Sequence, residues 1–576
     1  MKISSAHIQN YRSIQELDLN FSDRINVFVG ANNVGKSNIF SALEWLVGPT
    51  YPTANRLDKQ DFYLGNEEDP MEIKLSFDDG NFLAFSSLWY DNRGTERHGL
   101  HQGYGSGFIN DGDRERYVSA SVGTDRRIND NPAGNQWSLL GRMLKDFNKR
   151  LDIEVTTLAD GSIGTKAEAF KERMVAIRDD ILFSIKDNNG TSLMNELKSI
   201  MQDEASKQLN CSPNDLTIDL NIYDPWNLFK TLQIFVRERE LDMEFRASEL
   251  GMGVQASLTI AILRAYSKLK LQNQTPIFID EPELYLHPQA RRRFYRVIEE
   301  LADSGTQIFM TTHSTEFIDL AHFDSIFLVR RNSERGTYVR HADSKDFLAD
   351  LNVRLPRVSA TRESLMLEYK NAFENTGDSQ KAAEAIFASK VILVEGESES
   401  LILPFCFDTI GYDYISKGIS IVRCGGKNEL DRFYRLYSEF GIPCYIIFDG
   451  DSQNKSTADE PHTIQANRGI LSLFRIPADY PDGHIHEQYL GFTKRLEDAL
   501  CIGSVGNNVK GLKLYKRFKE AIQSGTTMPA WPAMVAQAVD ALPNEAPSAL
   551  QTPLLPQPPA SESDELDESY FEGIPF

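Results

Sequence analysis

Four short stretches hold residue types whose order suits phosphate chemistry. The first is GANNVGKS (30–37), a G-x-x-x-x-G-K-[ST] loop. Its glycines let backbone N–H groups wrap a phosphate, and a following helix N-terminus adds a favourable field. Lys36 is expected to reach the β- and γ-phosphates, and the Ser37 hydroxyl to ligate Mg²⁺. Gly30, Asn33, Gly35 and Asn38 complete the nucleotide-binding candidates of this loop and first helical turn. The second stretch, PIFIDEPELYLHP (276–288), brings Asp280 to that metal's shell and Glu281 beside an attacking water. The third, QIFMTTHS (307–314), ends in His313, placed where a γ-phosphate sensor would sit. A lone histidine is usually structural, so His313 owes its functional reading to these neighbours. The fourth is a set of acids: Glu395 and Glu399 in KVILVEGESE (390–399), Asp449 and Asp451 in IPCYIIFDGD (442–451). Carboxylates with open water positions suit Mg²⁺ or Mn²⁺, and nothing in the set offers a soft-metal site. Single acids at strand ends are commonly solvated loop residues. Only the set together points to a metal centre.

Each stretch needs an element beneath it. Residues 3–29 alternate in strand fashion up to INVFV, and SNIFSALEWLVG is apolar-periodic, so the Gly-rich loop joins a strand to a helix. Further strands are expected at 71–77, 81–90, 216–223, 276–280 and 307–313, and a helix at 255–270. Residues 91–135 are rich in Gly, Asp, Asn and Arg and read as loops, whereas 136–210 read as helical. Residues 343–385 are polar and helical, a connector. A second strand–helix alternation begins at Lys390, with GISIVRCGGK (418–427) as its second strand. In an open α/β sheet, ligands gather beyond the carboxyl ends of strands. Neighbouring strands lie about 4.8 Å apart, so Glu395, Glu399, Asp449 and Asp451 can converge on one or two hard cations. From Pro543 the chain turns Pro-, Ser- and acid-rich and is expected to be disordered.

The first three stretches together resemble the ATPase heads of the ABC/SMC class. NYRSI (10–14) matches the opening of the SMC-like members, which implies that Arg12 contacts nucleotide. SELGMGVQ (248–255) resembles their signature motif, implying that Ser248, Gly251 and Gly253 face the γ-phosphate of a partner head. It departs from the usual L-S-G-G-Q wording, which leaves trans-activation of hydrolysis less secure than binding. Gln60, in DKQDFY, reads either as the Q-loop metal contact or as a surface turn. No sustained heptads are present, so 100–235 reads as a compact insertion, a dimerisation region, rather than a coiled-coil arm.

The acids and strands of the second half resemble the Toprim fold, in which the glutamate serves acid/base chemistry and the aspartates hold metal. Head and Toprim in one chain resemble the OLD (overcoming lysogenisation defect) family of ATPase–nucleases from phages and bacterial defence systems. The implied fold class is α/β: an ABC/SMC-like head with a helical insertion (1–345, insertion 100–235), a helical connector (346–387), a Toprim domain (388–525) and a C-terminal segment (526–576). The family's two-metal chemistry implies a further acid, for which RLEDAL (495–500) offers Glu497, an amphipathic helix being the bland alternative. It also implies a lysine late in the domain. KLYKRFKEA (513–521) supplies Lys513, Lys516 and Lys519; Lys516 is chosen, and the same helix reads equally as a DNA-backbone face or a solvated surface.

The function implied is an ATP-binding, divalent-metal-dependent DNA endonuclease in defence or DNA processing, with one Mg²⁺ (or Mn²⁺) at the ATPase site and two at the Toprim site. The alternative is an ATP-driven clamp or signalling ATPase with an inactive Toprim domain. Expected partners are DNA, a second copy or higher homo-oligomer, and a helicase or reverse transcriptase. The acidic ending ESDELDESYFEGIPF resembles the tip of single-stranded-DNA-binding protein, so Phe576 is a candidate contact for proteins with a pocket for that tail, or part of a solubilising tail. Composition sets the outer bounds. With 576 residues two or three domains are expected, and 61 basic against 83 acidic residues (−22) disfavour non-specific nucleic-acid coating. Scattered cysteines, no secretory start and no long apolar run point to the cytoplasm and away from the membrane.

Overall fold

The computed structural model describes residues 1–48, 50–90, 96–102, 109, 114, 117–123, 139–186, 190–209, 212, 223–238, 243–268, 275–354, 360–502 and 510–550. The first half builds β1 (Ile3–Tyr11), β2 (Ile14–Asn20), β3 (Ile25–Val29), α1 (Lys36–Val47), β4 (Glu72–Phe77), β5 (Phe82–Tyr90), β6 (Glu96–His101) and β7 (Ala120–Val122). An inserted module follows: α2 (Leu139–Ile153), a ribbon of β8 (Val155–Thr157) and β9 (Ile163–Thr165), α3 (Lys166–Ile177), α4 (Leu193–Leu209), α5 (Pro225–Phe229) and a ribbon of β10 (Phe235–Glu238) and β11 (Met243–Arg246). The chain then returns to the sheet with α6 (Met252–Lys268), β12 (Ile277–Asp280), α7 (Pro288–Asp303), β13 (Ile308–Thr312), β14 (Ile326–Asn332) and β15 (Gly336–His341).

Among the described residues one 11-stranded sheet runs β6-β5-β4-β1-β2-β15-β14-β3-β13-β12-β7. Its β14–β3–β13–β12–β7 half is parallel and the rest antiparallel. Side chains alternate faces along a strand, and both faces of the parallel half are apolar. Phe28, Phe278, Phe309 and Phe327 pack under α1, with Phe278 stacked on Phe309 at 4.8 Å. Their neighbours Val27, Ile277, Ile279, Ile308 and Met310 face the other way. That double burial explains why these strands read as continuous apolar runs.

The connector holds α8 (Ser344–Arg354), α9 (Arg362–Asn375) and α10 (Ser379–Glu384). It is helical as expected but is no loose linker. Leu365, Tyr369, Phe373 and Ile386 belong to one apolar cluster with Ile279 of the head and Leu393, Phe433 and Ile446 of the second half. That half contains β16 (Lys390–Val394), α11 (Glu397–Ile410), β17 (Ile419–Arg423), α12 (Lys427–Glu439), β18 (Cys444–Asp449), α13 (Glu460–Leu473), β19 (Tyr489–Phe492), α14 (Leu496–Ala499), α15 (Lys510–Gln523) and α16 (Trp531–Ala541). Its four parallel strands run β17-β16-β18-β19. One face joins the shared core, and the other packs Ile402, Leu514, Phe518 and Val535 from α11, α15 and α16.

Several expectations need correction. Residues 543–550 are not disordered: Ala549 is buried, Glu545 pairs with Arg340 at 2.5 Å, and Glu439 accepts from Ala549 N at 3.0 Å. The helical stretch 136–210 is interrupted by the β8–β9 ribbon, the stretch 91–135 read as loops contributes β6 and β7 to the sheet, and β14–β15 had no counterpart in the expected strands. Residues 216–222 and the tail from 551 to Phe576 lie outside the described residues. Cys406, Cys424 and Cys444 are free and buried and Cys501 is free and exposed; Cys211 lies outside the described residues. Among the described residues no helix is long and apolar enough to cross a membrane.

Candidate functional site

The first site lies where β3 feeds α1. A side chain at Gly30 (φ +150°) would meet the Val329 carbonyl at 2.3 Å, and one at Gly35 (φ +110°) would meet Thr337 Oγ1 at 2.2 Å. Only glycine fits those close approaches. Asn33 adds a left-handed residue (φ 64°). Lys36 Nζ donates to the carbonyls of Gly30 (3.0 Å) and Ala31 (2.9 Å), curled over the loop. Burial lowers its pKa, with Glu281, Asp280 and Glu283 opposing. Ser37 and Asp280 line one cavity of about 170 Å³ with Ser41, Glu44, Ser121 and Gly123. Asp280 accepts from Thr311 Oγ1. Glu281, left-handed at φ 45°, lies 3.6 Å from His313 Nε2. Backbone strain of this kind clusters at functional sites. Burial and the Lys36 charge lower the His313 pKa, favouring neutral imidazole.

The remaining candidates surround this group. Arg12 is held by Asp61 Oδ1 (3.0 Å) and Ser41 Oγ (3.0 Å), beside α1. Asn38 donates to Ser13 Oγ at 2.6 Å, which ties α1 to the β1–β2 turn. Gln60 is exposed in a 3₁₀ turn beside Asp61, whereas β7 residues form the wall of the Ser37–Asp280 cavity. Gly251 and Gly253 are exposed and Ser248 half-buried, on a turn braced by Gln255 donating to the Leu250 carbonyl at 2.7 Å. Two acids escaped the sequence reading. Glu283 is buried and accepts from Thr312 Oγ1 (2.9 Å) and His313 N (2.6 Å), fixing the His313 backbone. Glu44 has its pKa raised to about 7 by burial and by the Asp280 charge. The Ser37, Ser41, Glu44 spacing, one polar stripe on an apolar helix, was the available signal.

The second site lies at the carboxyl ends of β16 and β18. Glu395 follows β16 and accepts from Asp449 N at 3.3 Å; Asp449 ends β18 and accepts from Leu496 N at 2.9 Å. Glu399 turns back to its own helix start, accepting from Gly396 N at 3.0 Å. Glu497 is buried in the first turn of α14. Asp449 is pushed well above the carboxylate range by burial, then by the charges of Glu399, Glu395, Asp451 and Glu497. Burial raises Glu395 to about 7 against the pull of Lys427, with Glu399 and Asp451 adding to the rise. Burial works upward on Asp451 too, but bonds from Lys427, Gln453 and Arg495 hold it low.

Hard oxygen donors that repel one another in a buried place suit a divalent cation, which would relieve that repulsion. The set is not drawn tight. Among the described residues the one group of three ligands with all atoms within 4.8 Å is His7, Glu16 and Asp18, on the β1–β2 surface. Lys516 lies on the exposed face of α15 with Lys513, while Leu514 and Phe518 face inward; Lys519 sits over the Tyr515 ring. The lysine that does meet the acids is Lys427, in the first turn of α12 after the Gly425–Gly426 turn.

Comparison with known proteins follows the same division. The sequence profile described as "AAA domain, putative AbiEii toxin, Type IV TA system" matches residues 25–319. That described as "Overcoming lysogenization defect protein-like, TOPRIM domain" matches 386–451. The chain is 25% identical over 512 residues to an OLD nuclease of Thermus scotoductus, covering 81% of this chain and 88% of that protein. It is 24% identical over 479 residues to the Old nuclease of Escherichia phage P2 (78% and 77%), and 21% over 500 residues to endonuclease GajA of Bacillus cereus strain VD045 (79% and 76%). The Pyrococcus furiosus Smc head domain with an extended coiled coil aligns at 15% identity over 61% of this chain and 98% of that one, with a TM-score of 0.35.

Proposed function

Since the chain belongs to the AAA-domain ATPase family and carries an OLD-like Toprim domain behind that head, we propose that it is an ATP-binding, divalent-metal-dependent DNA nuclease. The head spans 1–345; its insertion, expected at 100–235, is drawn instead over 139–246, because Leu100, His101 and β7 belong to the main sheet. The connector spans 346–387 and the Toprim domain 388–525, followed by a C-terminal segment. The observation that carries this reading is Glu395 beside Asp449 at the carboxyl ends of adjacent parallel strands, in a chain whose other half holds Lys36, Ser37 and Asp280 around one cavity.

In the head, the Lys36 ammonium leaves its loop carbonyls for the β- and γ-phosphates of ATP. Ser37 and Asp280 would hold Mg²⁺, Glu281 orients the attacking water, and neutral His313 donates to the γ-phosphate. Arg12, Gly30, Asn33 and Gly35 shape the loop around the nucleotide, and Ser248, Gly251 and Gly253 face a second head. In the Toprim domain Glu395, Glu399, Asp449, Asp451 and Glu497 would hold one or two Mg²⁺ or Mn²⁺, supplying an activated water and charge relief at the leaving oxygen. Glu395, raised to about 7, suits proton transfer near neutral pH. Lys516, exposed on α15, is the lysine proposed to stabilise transition-state charge, with contact to the DNA backbone as its other reading.

A homodimer built through the insertion is supported by its exposed apolar residues, Ile153 (75% exposed), Val155 (67%) and Ile163 (79%) among them. Work alongside a helicase or reverse transcriptase in defence, in the cytoplasm, completes the reading. The test is plasmid cleavage in Mg²⁺ or Mn²⁺ by the full chain and by Asp449→Ala and Lys36→Ala. Loss of cleavage in Asp449→Ala and loss of nucleotide binding in Lys36→Ala are expected. Cleavage surviving Asp449→Ala would overturn the catalytic assignment, and no cleavage by the full chain would leave a nucleotide-driven clamp or signalling ATPase as the better reading.

A further inference from the structure

The Toprim acids enclose one seat that is already filled by a cation. Lys427 Nζ donates to Asp451 Oδ2 at 2.8 Å and to Asn467 Oδ1 at 3.2 Å, and its side chain is only 9% exposed. Asn467 is fully buried, and its amide nitrogen is committed elsewhere, donating to the carbonyls of Gly450 (2.9 Å) and Asp479 (3.1 Å). Its Oδ1 is therefore oriented as an acceptor towards Lys427. Asp451 is drawn on from its other side by Gln453 Nε2 (2.7 Å) and Arg495 Nε (3.3 Å). A carboxylate oxygen and a pre-oriented amide oxygen, with Glu395 close enough to feel the Lys427 charge, form a hard-donor seat. A flexible ammonium and a divalent ion are the two cations able to occupy it.

We propose that Lys427 is a resident counter-ion at the second-cation position of the Toprim site, and that a divalent metal reaches Asp451 only by displacing the ammonium. This rests on the metal-dependent reading above and adds to it a built-in order. The Glu395–Asp449 side, where two buried carboxyl groups adjoin at the ends of neighbouring parallel strands, would take the first cation. The second enters against the cost of breaking a nearly buried ion pair. Once released, the ammonium is free to turn to an incoming phosphate, so Lys427 is a positioning residue before the metal binds and a phosphate contact after it. Nothing of the kind applies to the exposed Lys516.

The experiment is a Mn²⁺ titration followed by electron paramagnetic resonance on the nucleotide-free full chain. It compares wild type, Lys427→Met, Lys427→Arg and the Lys427→Met/Asp451→Asn double variant. In Lys427→Met the second Mn²⁺ is expected to bind at least about tenfold more tightly than in wild type. Lys427→Arg, which keeps the cation, is expected to keep the second site weak, and the double variant to lose the gain. Thermal unfolding checks that each variant is folded; should Lys427→Met fail to fold, Lys427→Gln takes its place. A second-site affinity unchanged or weaker on removal of the ammonium overturns the competition while leaving the nuclease reading intact. Absence of Mn²⁺ binding in every chain, together with cleavage that survives Asp449→Ala, overturns both.

Discussion

Replacing Glu395 by Gln separates the stability of the Toprim site from its chemistry. The wild-type carboxyl is held neutral by burial, its pKa moved from an ordinary 4.5 to about 7. A group with a raised folded-state pKa binds more protons folded than unfolded between those two values. Metal-free stability therefore falls as pH rises from about 4.5 to 7 and stays low above it. At 1.36 kcal/mol per pKa unit, the ionised group costs the metal-free protein about 3 kcal/mol at pH 8. Glu395→Gln keeps the shape of the neutral acid and removes that cost. It also lifts one of the charges acting on Asp449, which works in the same direction. In urea denaturation with a chelator, Glu395→Gln is expected to match wild type at pH 4.5 and exceed it by about 3 kcal/mol at pH 8. Added Mg²⁺ should recover most of the difference in wild type, because it compensates the same charge, and do little for the variant. Equal stabilities at pH 8 without metal would refute the reasoning, since the carboxylate would then be ionised without strain.

Three further outcomes follow from single contacts. Arg435, only 3% exposed, holds Asp431 (2.9 Å), Asp350 (3.5 Å) and the Ala549 carbonyl (3.1 Å), so Arg435→Leu should cost about 3–5 kcal/mol in urea denaturation; a loss under about 1 kcal/mol would mean the pair holds nothing. Gly35→Ala places a methyl 2.2 Å from Thr337 Oγ1 at φ +110°, and nucleotide affinity read by fluorescence titration should fall at least about tenfold. Glu281→Gln should slow single-turnover ATP hydrolysis by about 10²-fold or more with binding kept; unimpaired turnover would move the water-orienting role to another group.

The sites that were legible in the sequence are those where local backbone rules and chemistry coincide. A Gly-rich loop between an apolar strand and a periodic helix could lead to little else, and β3 and α1 fall where the pattern put them. Glu395 and Asp449 were readable because parallel strands buried on both faces leave their first polar residue at the carboxyl end. Lys427 was not, because its partners Asp451 and Asn467 are 24 and 40 residues away and a lysine opening a helix looks solvated. Glu399 read as a ligand candidate only, and that its Oε2 also takes the Gly396 N–H at the start of its own helix was not legible. Residues 543–550 looked disordered by composition, which averages over neighbours. Here one aspect of the average fails: Ala549 finds a buried place and Glu439 takes its N–H.

One apolar interior passes from the head through the connector into the second sheet. Helix α12 carries the consequence. It is clamped to the connector by Arg435 and Arg432, the latter 3.9 Å from Glu368, and it begins at Lys427. Eight residues of helix separate Arg435 from Lys427, about 12 Å at 1.5 Å per residue. A tilt of about 5° about the clamped end would carry Lys427 roughly 1 Å along that 12 Å arm, enough to stretch its 2.8 Å contact with Asp451 out of hydrogen-bonding range. The helix is thus a short lever joining the connector clamp to the Lys427–Asp451 ion pair, so a shift of the connector is expected to change who holds Asp451.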